Sequence, residues 1–325
     1  MAIKNEINFP SSKTFNLNDV KSSRKLNKLL IAFKKHWQLY LILLLPILYV
    51  FIFKYIPMYG LQIAFKDYNM SKGFFGSPWV GFKHFELFFE SYYFWRLIKN
   101  TVGLSLYTII AGFLPPIILA IALNECKARF FKKTVQMVTY APYFLSTVIV
   151  VGIITQVLSL QGTVNSLITI LGGEPVSFLS IAPLFKTIYV WSGVWQGMGY
   201  NAILYIAALS AINPELYEAA IVDGANIWKR IWHIDVPGIM PTAIILLILS
   251  TATILNVGFE KVFLLQNPLN QSASDVISTY VYRVGLVEFN FSYATMVGLF
   301  QSVVSLAFMV SVNKIAKTFS DTSLW

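Results

Sequence analysis

Six long apolar runs constrain this chain more than any other feature: residues 38–58, 101–123, 135–158, 185–211, 241–259 and 293–313. Each is about as long as a helix needs to be to cross the hydrocarbon core of a bilayer. Lipid offers no water to pair a free N–H or C=O, so each run is expected to satisfy its own backbone as an α-helix. The expected fold is an all-α integral membrane protein, with six transmembrane helices in a domain over 37–325. An even number of crossings returns both termini to one side. Composition agrees, because 56% of the residues are hydrophobic and 12% are charged, against roughly 25% charged in soluble domains.

Orientation follows from the lysines and arginines. With the N-terminus inside, 16 of the 25 basic residues fall on the inner side: Lys4, Lys13, Lys21, Arg24, Lys25, Lys28, Lys34, Lys35, Lys127, Arg129, Lys132, Lys133, Lys229, Arg230, Lys314 and Lys317. Cytoplasmic flanks carry such an excess, so both termini and the loop 212–240 are expected in the cytoplasm. The net charge of +10 is spread over these flanks. Membrane orientation and contact with lipid headgroups account for it, and nucleic acid is not an expected partner.

Residues 1–36 predict a cytoplasmic tail ending in an interfacial amphipathic helix, where Leu26, Leu29, Leu30 and Phe33 lie opposite Lys25, Lys28, Lys34 and Lys35. The first apolar run follows this polar stretch and is not followed by a small-residue cleavage site, so it is expected to stay as an anchor. The single Cys126 excludes an intrachain disulfide.

The loop between the fourth and fifth runs has the clearest local signals. Asn213 suits an N-cap and Pro214 the first helical position, which places Glu215 and Glu218 in the first turns of a helix. Gly224 permits a left-handed break, after which a second short helix is expected from Ala225 to about His233, ending before Pro237. Leu216, Ala219 and Ala220 make a small-residue face, and Trp228, Ile231 and Trp232 a larger apolar one, so another chain could approach closely.

Glu218, Ala219, Ala220, Asp223, Gly224, Ala225, Ile234 and Pro237, at this spacing, resemble the "EAA" coupling loop of ABC importer permeases, with Val236 standing where leucine is usual. The resemblance implies the type I ABC importer permease fold in a bacterial cell membrane. It also implies a homologous second permease, two ATP-binding subunits docked on the coupling-helix loop, and an extracytoplasmic solute-binding protein. ATP and Mg would sit on those partner subunits, with no cofactor on this chain. Glu218 would pair with a basic group on the ATPase, and Gly224 would allow the bend.

The segment 59–99 carries 14 aromatic residues between Tyr59 and Trp95. They suit an interfacial belt, or an exposed apolar surface for the delivery protein. The order Phe65-Lys66-Asp67-Tyr68-Asn69, Ser77-Pro78-Trp79-Val80-Gly81, Phe85, Asn100-Thr101, then Asp275 to Arg283, is similar to permeases for complex oligosaccharides, the LplB-like group. Leu265-Gln266-Asn267-Pro268 departs from the Gly-Gly-Pro of many sugar permeases.

A sugar needs rings for its C–H faces and amides or hydroxyls for its edges. Ser192, Gln196 and Tyr200 share one helical face of the fourth run beside Trp195, with Gly193, Gly197 and Gly199 leaving room. Thr253 and Asn256 are one turn apart in the fifth run, and Tyr143 and Ser146 have similar spacing in the third. Polar groups at membrane depth are costly and often line a path. These residues are the expected substrate pathway. They also suit the plainer role of joining helices.

Catalysis is not expected. The chain has no Gly-x-x-x-x-Gly-Lys-Ser/Thr loop and no His-Glu-x-x-His, and its three histidines, His36, His84 and His233, are scattered. No catalytic residue and no metal site are expected. An ion-coupled secondary transporter is the alternative from another class. It requires ionisable residues in mid-span and inverted halves, and the runs are nearly free of such charges.

Overall fold

The computed structural model describes residues 35–252, 255 and 257–319. The expected tail and interfacial helix lie almost wholly outside the described residues, as do Thr253 and Asn256. Among the described residues there is no β-strand, only an isolated antiparallel bridge between Lys66 and Trp79.

The chain forms two compact units, Met1–Leu61 and Gln62–Trp325. The described part of the first lies in helix α1 (Lys35–Phe65), which widens into a π turn at Phe51–Tyr55. Pro57 follows within the helix. It has no N–H for the carbonyl four residues back, and the wider turn lets the helix continue past it.

The second unit contains α2 (Lys83–Glu90), α3 (Tyr93–Glu125), α4 (Arg129–Tyr140), α5 (Thr147–Val157), α6 (Thr163–Ile170) and α7 (Leu184–Ser210). It continues with α8 (Pro214–Val222), α9 (Ile227–Thr251), α10 (Phe259–Leu265), α11 (Ile277–Tyr282) and α12 (Phe291–Phe319). Among the described residues four helices, α1, α3, α9 and α12, are long and apolar enough to cross a membrane. Arg129–Phe144 and α5 pass the same test only as a pair, bent by 104° at the break between them. The run 135–158 is therefore not one straight helix. The α4 path ends in a 3-10 turn at Ala141–Phe144, and Ser146, in extended backbone, starts α5 by accepting from Ile149 N–H at 3.4 Å.

Helix α7 has 27 residues, about 40 Å at 1.5 Å per residue. Gly193, Gln196, Gly197, Gly199 and Asn201 dilute its apolar character, and it is not among the four helices apolar enough to cross a membrane. Such residues suit the inside of a bundle, and α7 packs on α3, α4 and α9.

Three clusters of buried side chains run along α3, whose 33 residues continue through Pro115 and Pro116. Leu97 packs with Phe88, Ile277, Tyr280 and Met296 at one end. Leu104 meets Val151, Phe185, Val190 and Val262 in the middle. Ala120 meets Ala202, Tyr205, Ile239 and Ala243 at the other end. The alanines there let α3, α7 and α9 approach closely.

Candidate functional site

The loop 212–240 folds as its local chemistry directs. Asn213 Oδ1 accepts from Glu215 N–H at 3.1 Å, Pro214 occupies the first turn, and α8 runs to Val222. Gly224 then takes φ +71, with Gly224 N–H donating to Ile221 C=O at 3.0 Å and Ala225 N–H to Ala220 C=O at 2.8 Å. This pair of bonds caps the last carbonyls of α8 and requires the left-handed residue that glycine supplies. Asn226 starts the next helix by accepting from Lys229 N–H at 2.9 Å.

The stop expected before Pro237 does not occur. Helix α9 passes through a π turn at Ile231–Asp235 and continues to Thr251. As at Pro57, the widened turn precedes the proline by one residue and absorbs its missing N–H. The second half of the 212–240 loop and the fifth apolar run are therefore one continuous helix from Ile227 to Thr251.

Glu218, Ala219, Asp223, Gly224 and Pro237 are exposed, and Ala220, Ala225 and Ile234 are half-buried. None of the ion pairs among the described residues uses Glu218. Leu216, Ile221, Val222, Trp228 and Trp232 are also exposed, Val222 to 86% and Trp228 to 68%. So many large exposed apolar side chains in one loop, together with the exposed carboxylates of Glu215, Glu218 and Asp223, make a surface fit for another protein.

Of the expected substrate pathway, the structure brings Tyr143 and Tyr200 together with parallel rings, centroids 3.8 Å apart. Gln196 Nε2 donates to Leu145 C=O at 3.2 Å, which ties α7 to the bend between α4 and α5. Gly199 permits this approach, since a Cβ there would lie 2.1 Å from Thr139 O. Ser192 is turned back on its own helix, donating to Ile188 C=O and Tyr189 C=O. Trp195 is 44% exposed.

A different face of α7 lines a cavity of about 480 Å³, with Gly193, Asn201 and Tyr205 opposite Thr108, Gly112 and Ser250. Sequence reasoning missed this group. Thr108 and Gly112 are one turn apart, and Asn201 follows Gly193 and Gly197 at four-residue steps, but only packing shows that they face each other.

Lys261 closes the region near Gly193. It is 8% exposed, donates from Nζ to Tyr189 C=O at 3.1 Å and lies 5.0 Å from the Tyr189 ring centroid. Burial lowers its pKa from the usual 10.5 to about 8.

At the end of α3 remote from α8, the ordered sequence strings meet. Val80 N–H donates to Phe65 C=O at 2.9 Å, and the Lys66 ammonium lies 4.9 Å from the Trp79 ring centroid. Asn100 Nδ2 donates to Ser272 C=O at 2.9 Å and Asp275 C=O at 3.1 Å, while Thr101 Oγ1 accepts from Ile277 N–H at 3.0 Å. Asp275 is fully buried and pairs with Arg283 at 2.9 Å and Arg96 at 3.3 Å. Arg96, one turn before Asn100, was not legible as part of this clasp. Where Gly-Gly-Pro is replaced, Asn267 and Asn270 both donate to Leu179 C=O, so the asparagines fasten one connection to another.

Residues 37–320 match the family described as "Binding-protein-dependent transport system inner membrane component". Protein LplB of Bacillus subtilis (strain 168) is 44% identical over 295 residues, covering 90% of this chain and 93% of its own. The polygalacturonan/rhamnogalacturonan transport system permease protein YteP of the same organism is 40% identical over 302 residues, covering 93% and 94%. A crystal structure of a bacterial alginate ABC transporter, in complex with an alginate pentasaccharide-bound periplasmic protein, contains a similar chain. It matches at TM-score 0.83 and 40% identity, covering 90% of this chain and 98% of that one.

Proposed function

Because the chain belongs to the family of binding-protein-dependent transport system inner membrane components, we propose that it is the permease subunit of an ATP-driven importer for an oligosaccharide or sugar-derived solute. It is a transport subunit and not an enzyme. The relatives' names point to acidic polysaccharides, polygalacturonan or rhamnogalacturonan for one and alginate for another, so uronate-containing oligosaccharides are the substrates to try first.

The observation that carries the reading is the 212–240 loop. A capped helix with an exposed Glu218 is joined through the Gly224 turn to α9, which begins in the loop at Ile227 and continues without a stop as a helix long and apolar enough to cross a membrane. In this reading the loop and both termini face the cytoplasm, and two ATP-binding subunits grip the loops of this chain and of a homologous second permease. A solute-binding protein delivers the sugar on the other side. Closure of the ATPases around ATP favours one access state because it makes different contacts with the two conformations. Tyr143, Ser192, Trp195, Gln196 and Tyr200 line the route, and the sequence-based candidates Thr253 and Asn256 lie outside the described residues; the Tyr143–Tyr200 pair supplies the stacking surface and Gln196 the amide.

The test is purification of the detergent-extracted chain from its host, as wild type and as Glu218→Lys, with identification of what accompanies it. An ATPase and a second permease travel with the wild type, and the ATPase is lost or uncoupled in the variant. A chain that purifies without an ATPase in both forms contradicts the reading.

A further inference from the structure

Beneath the exposed face of α8, polar side chains from three segments meet. Tyr217 Oη donates to Asp235 Oδ1 at 2.5 Å, and Asp235 is fully buried in the π turn of α9. Arg230, one turn earlier in α9, pairs with Glu125 at the end of α3 at 3.2 Å; these two side chains are 19% and 18% exposed. The two pairs form one cluster: Asp235 and Arg230 are five residues apart on α9, and Tyr217 also meets Asn124, next to Glu125, while burial first, then Asp235 and the charge of Glu125, raise the pKa of its phenol.

This arrangement is not the cheapest way to pack the site. Asp235 Oδ2 and Arg230 Nε are buried with no hydrogen-bond partner among the described residues, and buried charges that are incompletely paired are costly. An apolar cluster of the same shape serves stability as well or better. What the polar cluster adds is direction. Helix α8 is nine residues long and none of them is buried, so neither propensity nor burial fixes its position. The hydrogen bond from Tyr217 reaches from α8 to α9, and the ion pair then joins α9 to α3.

We infer that Tyr217, Asp235, Arg230 and Glu125 form a latch that positions α8 against the adjoining ends of α3 and α9, so that displacement of α8 moves both spanning helices together. The inference rests on the coupling role proposed for the loop. These are positioning residues: Glu218 and the apolar surface meet the partner, and the latch carries the displacement inward.

The experiment uses the whole importer in lipid nanodiscs and proteoliposomes, with Tyr217→Phe, Asp235→Asn, the double variant, and Glu218→Lys for comparison. ATP hydrolysis with and without the loaded binding protein is measured per assembled complex, together with uptake per ATP. Tyr217→Phe keeps its ATPase subunits, yet stimulation by the binding protein falls by about tenfold, within the range of coupling between linked sites. The double variant is no worse than Tyr217→Phe alone, because the hydrogen bond that Asp235 accepts is already gone in that variant. Unchanged stimulation and uptake per ATP in Tyr217→Phe, or fully additive effects in the double variant, overturn the latch. If Glu218→Lys uncouples while the latch variants do not, only the latch fails. If Glu218→Lys is also fully coupled, the coupling reading itself is wrong.

Discussion

Gly199→Ala adds one methyl group where the structure has no room for it. The new Cβ would lie 2.1 Å from Thr139 O and 2.4 Å from Thr139 C, and both are backbone atoms that no rotamer change can move. Cβ atoms essentially never come within 3.0 Å of such neighbours, so α4 and α7 must part by about 1 Å, at the roughly 1–3 kcal/mol typical of overpacking. Alanine returns about 0.5–1 kcal/mol through its better helix propensity. The net loss is up to about 2.5 kcal/mol, which lowers the melting temperature by roughly 2–4 °C for each kcal/mol. The separation also strains the Tyr143–Tyr200 stack and the Gln196–Leu145 bond, so uptake falls with stability. The assay is fluorescence-detected size-exclusion after a heating series, run beside Gly298→Ala, whose Cβ meets nothing within 4 Å. If Gly199→Ala melts with the wild type and transports normally, the close α4–α7 approach is not the working structure.

Three further outcomes follow from the buried charges and the stacked rings. Asp275→Asn leaves Arg96 and Arg283 without their shared counter-ion and costs about 3–5 kcal/mol; it is read as lost monodisperse protein, and a normally stable variant contradicts the burial of this triad. Lys261 has a folded pKa of about 8 against 10.5 unfolded, so the folded state disfavours its proton. Its penalty is full below pH 8 and fades as pH rises from 8 to 10.5. Wild type therefore gains stability over that window relative to Lys261→Met, and parallel melting curves for the two count against a desolvated ammonium. Tyr200→Leu removes one ring of the stack, and uptake falls while co-purification of the complex does not; equal uptake takes Tyr200 off the route.

The legible parts of the fold were those decided within a few residues. Asn213, Pro214 and Gly224 state a start and an end for α8 by themselves, and the observed bonds at each cap are the ones those residue types make. The continuation of α9 through Pro237 was not legible, because proline alone signals a stop, and the π turn that precedes it, with Asp235 buried and bonded to Tyr217, has no sign in the sequence around it. The 104° bend near Leu145 had a weak local sign in Pro142 and Ser146, but hydropathy gave one uninterrupted run. The clasp was invisible for a third reason: Asn100 and Asp275 are 175 residues apart, and no periodicity links them. The cavity between α3, α7 and α9 belongs to the same class, since Thr108, Asn201 and Ser250 share nothing in sequence but come to face one space.

The central claim is that ATP, acting through the 212–240 loop, drives solute inward. The direct measurement is uptake of a labelled uronate oligosaccharide into proteoliposomes holding the complete importer, with ATP or ADP enclosed and no ion gradient. The account predicts uptake that requires enclosed ATP and a loaded binding protein and that is abolished by Glu218→Lys. Uptake that proceeds with ADP and follows an imposed proton or sodium gradient contradicts it.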